Sequence, residues 1–151
     1  MAVGARRGVG RTEVLIGAAV VVVLALIAVP IVMGTSRKSA RAEVPLLVDE
    51  IRELELRYRS SFGEYVSAEP APRLPHLVDA APATWASNRG FDAIGFAPPE
   101  PEAVVGSYKV AATEAGFTVT GTCDVDGDGR RAVYVATEAE PARLITDAGV
   151  Y

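Results

Sequence analysis

The chain has 151 residues, room for one domain of ordinary size, and half of its residues are hydrophobic. Its formal net charge of −4 argues against a nucleic acid as partner, because binding to phosphates requires a basic surface. Since Cys123 is the single cysteine, an internal disulfide is excluded.

The N-terminus joins a short basic stretch to a long apolar one. Arg6-Arg7-Gly8 precede a lone carboxylate, Glu13, and residues 14–33 are almost wholly apolar, interrupted by one proline, Pro30. An α-helix of this length measures about 30 Å, the thickness of the hydrocarbon core of a bilayer. The run therefore predicts a helix that spans a membrane once.

Three interpretations of this segment compete. A secretory signal peptide would have a shorter apolar region of about 7–15 residues and a cleavage site of small residues. Ala40-Arg41-Ala42 has the small-x-small form, but it follows a basic stretch that suits such a site poorly. A plain uncleaved anchor explains the length of the run and leaves Gly8, Glu13 and Pro30 without a reason.

The third interpretation is a resemblance to the N-terminus of type IV prepilins and of the pseudopilins of type II secretion. In that family a short basic leader is cut after glycine, the fifth mature residue is glutamate and the twenty-second is proline. With Gly8 as the last leader residue, Val9 becomes the first mature residue, Glu13 the fifth and Pro30 the twenty-second. One cleavage site thus places three landmarks in register.

The resemblance implies a structural subunit and not an enzyme. It would be a single-pass protein of the bacterial inner membrane with its head in the periplasm, and after assembly part of a periplasmic pseudopilus or a cell-surface pilus. Its partners would be other pilin subunits, prepilin peptidase, the inner-membrane assembly platform and the lipid bilayer. Arg11 and Thr12 make the first turn more polar than is usual in the family, which indicates a minor subunit.

Glu13 and Pro30 each have a plainer interpretation from the residues alone. A glutamate in the first turn is stabilised by the positive end of the helix dipole, and a proline in a membrane helix produces a kink. The resemblance implies more for both. Glu13 would pair with the N-terminal amine of a neighbouring subunit, and the helix would bend near Pro30 when it packs into a filament.

Beyond the apolar run, apolar residues recur every three or four positions: Ala40, Val44, Leu47, Ile51, Leu54, Tyr58, Phe62 and Tyr65. This spacing predicts an amphipathic helix that extends the membrane segment. Glu53–Arg57 and Glu55–Arg59, each four residues apart, are expected as ion pairs on its solvated face. Pro45 predicts a kink or a second helix start.

After Gly63, which predicts the end of the helix, residues 67–75 read as a loop. Short runs of β-branched and aromatic residues then predict strands at 91–96, 108–113, 117–123 and 132–137, with a hairpin turn at Glu114-Ala115-Gly116. Trp85 is expected to fill the space between helix and sheet.

The predicted fold class is therefore α+β, a pilin-like arrangement. A long N-terminal helix, membrane-spanning in its first half, packs on a three- to four-stranded antiparallel sheet. The chain divides into a leader (1–8), the transmembrane and assembly half of the helix (9–35), its extended amphipathic half (36–66) and a globular head (67–151).

One loop has the spacing of a metal site. Asp124, Asp126 and Asp128, followed by Gly129, match the beginning of a calcium loop, in which alternate carboxylates converge on a hard cation. The twelfth position holds Val135 where such a loop has glutamate. Aspartate and glycine are also ordinary turn residues, so both a structural turn and a Ca²⁺ site stay open.

No catalytic set is found elsewhere in the sequence. His76, the single histidine, lies in a proline-rich segment, and Cys123 has no neighbouring base that would activate it. The alternative to a pilin subunit is a membrane-anchored periplasmic binding domain that responds to Ca²⁺ and never polymerises.

Overall fold

The computed structural model describes residues 38–150, which all belong to one compact unit. Gly8, Val9, Glu13 and Pro30 lie outside the described residues, as do the predicted leader and membrane span. Within residues 38–150, no helix combines the length and apolar character needed to cross a membrane.

Helix α1 covers residues 38–62 of the described chain and passes through Pro45 without a break. The buried hydrophobic residues of this helix are Val44, Leu47, Val48 and Ile51. The helix ends at Gly63, whose φ of +84° favours glycine and whose N–H donates to the carbonyl of Arg59 at 2.8 Å. The predicted stop at Gly63 is thus confirmed, and so is the stripe up to Tyr58. Phe62 is 69% exposed and packs on Tyr58 with ring centres 4.5 Å apart, and Tyr65 lies beyond the end of the helix.

Among residues 38–150 the sheet has five strands that follow one another in chain order, each antiparallel to its neighbour. They are β1 (Ala68–Ala71), β2 (Gly106–Thr113), β3 (Gly116–Cys123), β4 (Ala132–Thr137) and β5 (Arg143–Leu144). The α+β class and the central hairpins are as predicted, because β2, β3 and β4 lie within two residues of the predicted strands. The sheet is larger than the predicted three to four strands because β1 and β5 extend its two edges.

The predicted strand at 91–96 is wrong, because this segment contains helix α2 (Arg89–Ile94). The side chain of Asn88 caps the helix by accepting hydrogen bonds from the N–H groups of Gly90 and Phe91, at 3.0 and 3.4 Å. Gly95 ends it in the left-handed conformation, with φ of +72°. These two end signals outweigh the aromatic composition that suggested a strand.

The predicted loop at 67–75 is also wrong in part, since it contains β1 and a 3₁₀ turn at Pro75–Leu77. β1 pairs only with β2, and its register shifts between Ala68 and Ala71. An edge position tolerates Pro70, which has no N–H to donate to a ladder. A short irregular edge strand of this kind leaves no alternating pattern in the sequence.

Helix α1 lies against the sheet at Gly121 of β3. A Cβ atom built on Gly121 would lie 2.5 Å from Val48 Cγ2 and 3.0 Å from Val44 Cγ1, closer than carbon atoms approach. Gly121 is flanked in the sheet by Tyr108 on β2 and Tyr134 on β4. The glycine therefore leaves a gap between two tyrosines, into which the helix fits.

Trp85 packs on the other end of the core. Its ring centre lies 5.2 Å from that of Phe91 on α2, 5.4 Å from Phe96 and 6.5 Å from Tyr108 on β2. Trp85 is thus partly buried against the core, as predicted, but its ring contacts are with α2, Phe96 and β2 and not with the long helix that the prediction assumed. Since Trp85 is the single tryptophan of the chain, its fluorescence reports on this core.

Candidate functional site

The acidic loop joins β3 to β4, and Asp124 holds it in place. Asp124 is 2% exposed, and its two carboxylate oxygens accept hydrogen bonds from the N–H groups of Gly127 at 2.8 Å and Gly129 at 3.0 Å. Both glycines have positive φ, +72° and +82°, a conformation that side chains disfavour. The aspartate and the two glycines together fix the bend of the loop.

The other two acidic residues lie on the outer side of the same bend. Asp126 Oδ1 accepts from the N–H of Asp128 at 3.5 Å, and Asp128 Oδ1 accepts from the N–H of Arg130 at 2.7 Å. One carboxylate oxygen from each of Asp124, Asp126 and Asp128 lies within 4.8 Å of the others. The structure therefore brings together the three residues that the sequence predicted.

Two chemical roles are compatible with this geometry. Ca²⁺ binds oxygen at about 2.3–2.6 Å, so ligands on opposite sides of the ion are about 5 Å apart, and one cation can contact all three carboxylates. Ca²⁺ also requires about 6–8 oxygens. Val135, at the twelfth position, lies in β4 and offers no side-chain oxygen. Backbone carbonyls or water would have to complete the coordination, whereas the turn is already complete through the hydrogen bonds of Asp124.

The loop contacts the 3₁₀ turn and Val78, the residue that follows it, through Arg131. Arg131 donates from Nε to the carbonyl of Val78 at 3.3 Å and from its terminal nitrogen to the carbonyl of His76 at 2.9 Å. The imidazole of His76 is exposed and belongs to no group of metal-ligating side chains within residues 38–150. His76 therefore contributes its backbone to the fold, as expected for a loop residue.

Cys123 lies directly before the acidic loop and is fully buried. Burial raises the pKa of its thiol to about 11, the positive charge of Arg41 opposes this shift, and the negative charge of Asp124 adds to it. At neutral pH the thiol stays protonated, and only a thiolate is a strong nucleophile. Cys123 is therefore a small apolar core residue.

Glu55 is a buried carboxylate that sequence reasoning missed. It is 0% exposed, its Oε2 accepts the N–H of Val66 at 3.0 Å, and its Oε1 has no hydrogen-bond partner among the described residues. Burial raises its pKa, and the Val66 hydrogen bond opposes the shift. The predicted surface pair with Arg59 is wrong, because Arg59 lies over the ring of Tyr65 at 4.5 Å.

The spacing of the buried face contained the signal for Glu55. The buried positions 44, 48, 51 and 55 follow one another at helical intervals of four, three and four residues. The second predicted pair is wrong as well. The Glu53 carboxylate pairs with Arg52 at 2.6 Å, while Arg57 donates to the backbone carbonyl of Glu53 at 3.4 Å.

No protein-family model, curated protein or solved structure matches this chain. A function is therefore inferred from the chain's own residues and their geometry.

Proposed function

We propose that this chain is a pilin-like structural subunit, a minor pilin or pseudopilin. Prepilin peptidase cuts it after Gly8, and its N-terminal helix assembles into a type IV pilus or a type II secretion pseudopilus. The observation that carries the proposal is the register of Gly8, Glu13 and Pro30, which one cleavage site places at three expected positions. The apolar run at 14–33 adds the length needed to cross a bilayer.

The head supports this proposal through helix α1. Four residues, 34–37, separate the apolar run from the described helix. The buried face of α1 then packs directly on the sheet, with Val44 and Val48 against Gly121. In the sequence, at most those four residues would therefore separate a segment held in a membrane or a filament from a helix that contributes to the core of the head.

Assembly follows from the chemistry of the N-terminal segment. Apolar helices exchange contact with lipid for contact with one another, and repeated head-to-tail contacts generate an open helical filament. A carboxylate at the edge of an apolar span needs an opposite charge when it leaves water. Cleavage supplies that charge as the amine of Val9, so the pairing of Glu13 with Val9 of a neighbouring subunit sets the register.

The pairing is tested by Glu13→Ala. We expect normal removal of the leader and a marked loss of subunit from filaments, measured by immunoblotting the filament fraction sheared from cells. Unchanged Trp85 fluorescence of the purified variant is the control for a folded head. Incorporation of the variant at the wild-type level would contradict the pairing role.

A second candidate function is favoured by the acidic loop alone. The convergence of Asp124, Asp126 and Asp128 within 4.8 Å suits a membrane-anchored periplasmic binding domain that responds to Ca²⁺ without polymerising. This alternative predicts a monomer in the membrane whose head is stabilised by added Ca²⁺. Recovery of the chain from sheared filaments would exclude it.

A further inference from the structure

A small basic cleft lies where helix α1 meets strand β4. It has a volume of about 260 Å³ and is lined by Lys38, Arg41, Ala42 and Tyr134. Two of these side chains are cationic, one is a phenol, and no acidic side chain lines the cleft among the described residues. The cleft is thus a locally basic site on a chain whose net charge is −4.

The cationic groups of the cleft differ in how they are held. Arg41 donates from Nε to the hydroxyl of Tyr134 at 2.8 Å and from a terminal nitrogen to the carbonyl of Ala148 at 3.0 Å, which fixes its guanidinium. Lys38, one helical turn earlier, is exposed and makes no hydrogen bond or ion pair with the rest of residues 38–150. Its ammonium group can therefore turn toward a ligand in the cleft.

Tyr134 adds a hydrogen-bond donor beside Arg41. Its hydroxyl oxygen accepts from Arg41, so its own hydrogen remains available for an acceptor in the cleft. Two positive charges and a hydroxyl donor suit the oxygens of a phosphate group, to which charge-assisted hydrogen bonds are roughly twice as strong as neutral ones. The chemistry of the cleft therefore favours a phosphate-bearing anion.

The place of the cleft in the chain indicates where such a phosphate would come from. Lys38 follows Met33, the last residue of the apolar run, by five residues (38 − 33 = 5). Five residues span at most about 18 Å even when fully extended. If the apolar run spans the bilayer, the cleft lies within reach of the lipid headgroups on the side of the head.

We propose that Lys38, Arg41 and Tyr134 bind the phosphate of an anionic phospholipid headgroup. The proposal rests on the membrane anchoring contained in the proposed function. The lipid would hold the orientation of the subunit before assembly.

Native mass spectrometry of the full chain in detergent tests this site. When either phosphatidylglycerol or phosphatidylcholine is added, we expect the wild type to retain more phosphatidylglycerol than phosphatidylcholine. Lys38→Ala should lower its affinity about fivefold, the usual effect of one basic residue near an anionic surface. Tyr134→Phe should also lower the affinity for phosphatidylglycerol, whereas Lys109→Ala, at an exposed lysine of β2, should leave it unchanged. Equal retention of both lipids, or equal loss in all three variants, would overturn the site.

Two further experiments are needed. The first distinguishes a lipid phosphate from free phosphate, and the second tests the membrane anchoring separately from the lipid site. If millimolar inorganic phosphate displaces phosphatidylglycerol in a Lys38-dependent manner, the ligand is free phosphate and the lipid assignment is wrong. Resistance of the membrane-bound chain to alkaline carbonate extraction measures the anchoring independently. If the chain is anchored but shows no preference for phosphatidylglycerol, the lipid site is refuted and the proposed function stands. If the leader is not removed, the proposed function is refuted and the lipid site stands.

Discussion

The contact between α1 and β3 predicts an unusual response to a very small substitution. In Gly121→Ala, the added methyl group would lie 2.5 Å from Val48 Cγ2, where ordinary carbon contacts are about 3.5–4.0 Å. Val48 is fully buried, and as a β-branched residue in a helix it has essentially one side-chain rotamer. The clash therefore requires a shift of about 1 Å in the helix or the strand.

The energetic cost is the difference of two effects. Overpacking of a core costs about 1–3 kcal/mol, while replacing glycine within a strand recovers roughly 0.5–1 kcal/mol of backbone entropy. We expect Gly121→Ala to lower the free energy of unfolding by about 1–2 kcal/mol. In a Val48→Ala background the same substitution should cost less, because the nearest opposing atom is gone and only the 3.0 Å contact with Val44 Cγ1 remains tight.

Urea unfolding of the full chain in detergent, followed by Trp85 fluorescence, measures all four proteins of this double-mutant cycle. Gly149→Ala is the matched control, because a Cβ atom at Gly149 meets nothing within 4 Å, and its effect should stay within about 0.5 kcal/mol. An equal cost of Gly121→Ala in both backgrounds would refute direct packing of α1 on β3.

Two further predictions concern buried carboxylates. Because burial raises the pKa of Glu55, this group favours the folded state below its unfolded pKa, and its contribution is lost as pH rises through the folded value. In urea unfolding, the stability of Glu55→Gln relative to wild type should therefore be higher at pH 7 than at pH 4. Glu50→Gln, at an exposed glutamate, is the control for loss of a charge without burial. A difference between Glu55→Gln and wild type that does not change with pH would contradict a buried charge at Glu55. Asp124→Ala should lower the unfolding free energy by about 2 kcal/mol, because two loop N–H groups lose a charged acceptor. If the unfolding free energy falls by the same amount with Ca²⁺ and with a chelator, the loop is a structural turn. A decrease seen only with Ca²⁺ would contradict that role.

Periodicity made the central part of the fold predictable. Positions 44, 47 and 51 repeat at helical spacing, and 108–113, 117–123 and 132–137 are rich in residues that suit a half-buried sheet. These elements follow from the local sequence because each must bury one face. The antiparallel order followed from the short connections between the strands.

The elements that were missed are short, or are marked by single residues that composition does not reveal. β1 and β5 are edge strands of four and two residues, too short to show a pattern. Helix α2 depends on its cap Asn88 and its terminal Gly95, which a count of aromatic residues overlooks. Glu55 was placed among surface charges because its neighbours are charged, although its helical position lies on the buried face.

One candidate site was predictable from the local sequence, and the other was not. The convergence of Asp124, Asp126 and Asp128 was predictable because aspartate and glycine favour a tight turn, in which alternate residues lie close together. The hydrogen bonds that bury Asp124 depend on how the loop folds back on itself. The basic cleft joins Arg41 and Tyr134, 93 residues apart, and no local pattern in the sequence indicates such a pair.

The central claim is that the mature subunit begins at Val9. Mass spectrometry of the intact chain extracted from membranes of producing cells tests it most directly. The account predicts a species that lacks residues 1–8, and a Gly8→Leu variant that keeps them. A wild-type chain that retains the leader, or that begins at any residue other than Val9, would contradict the account.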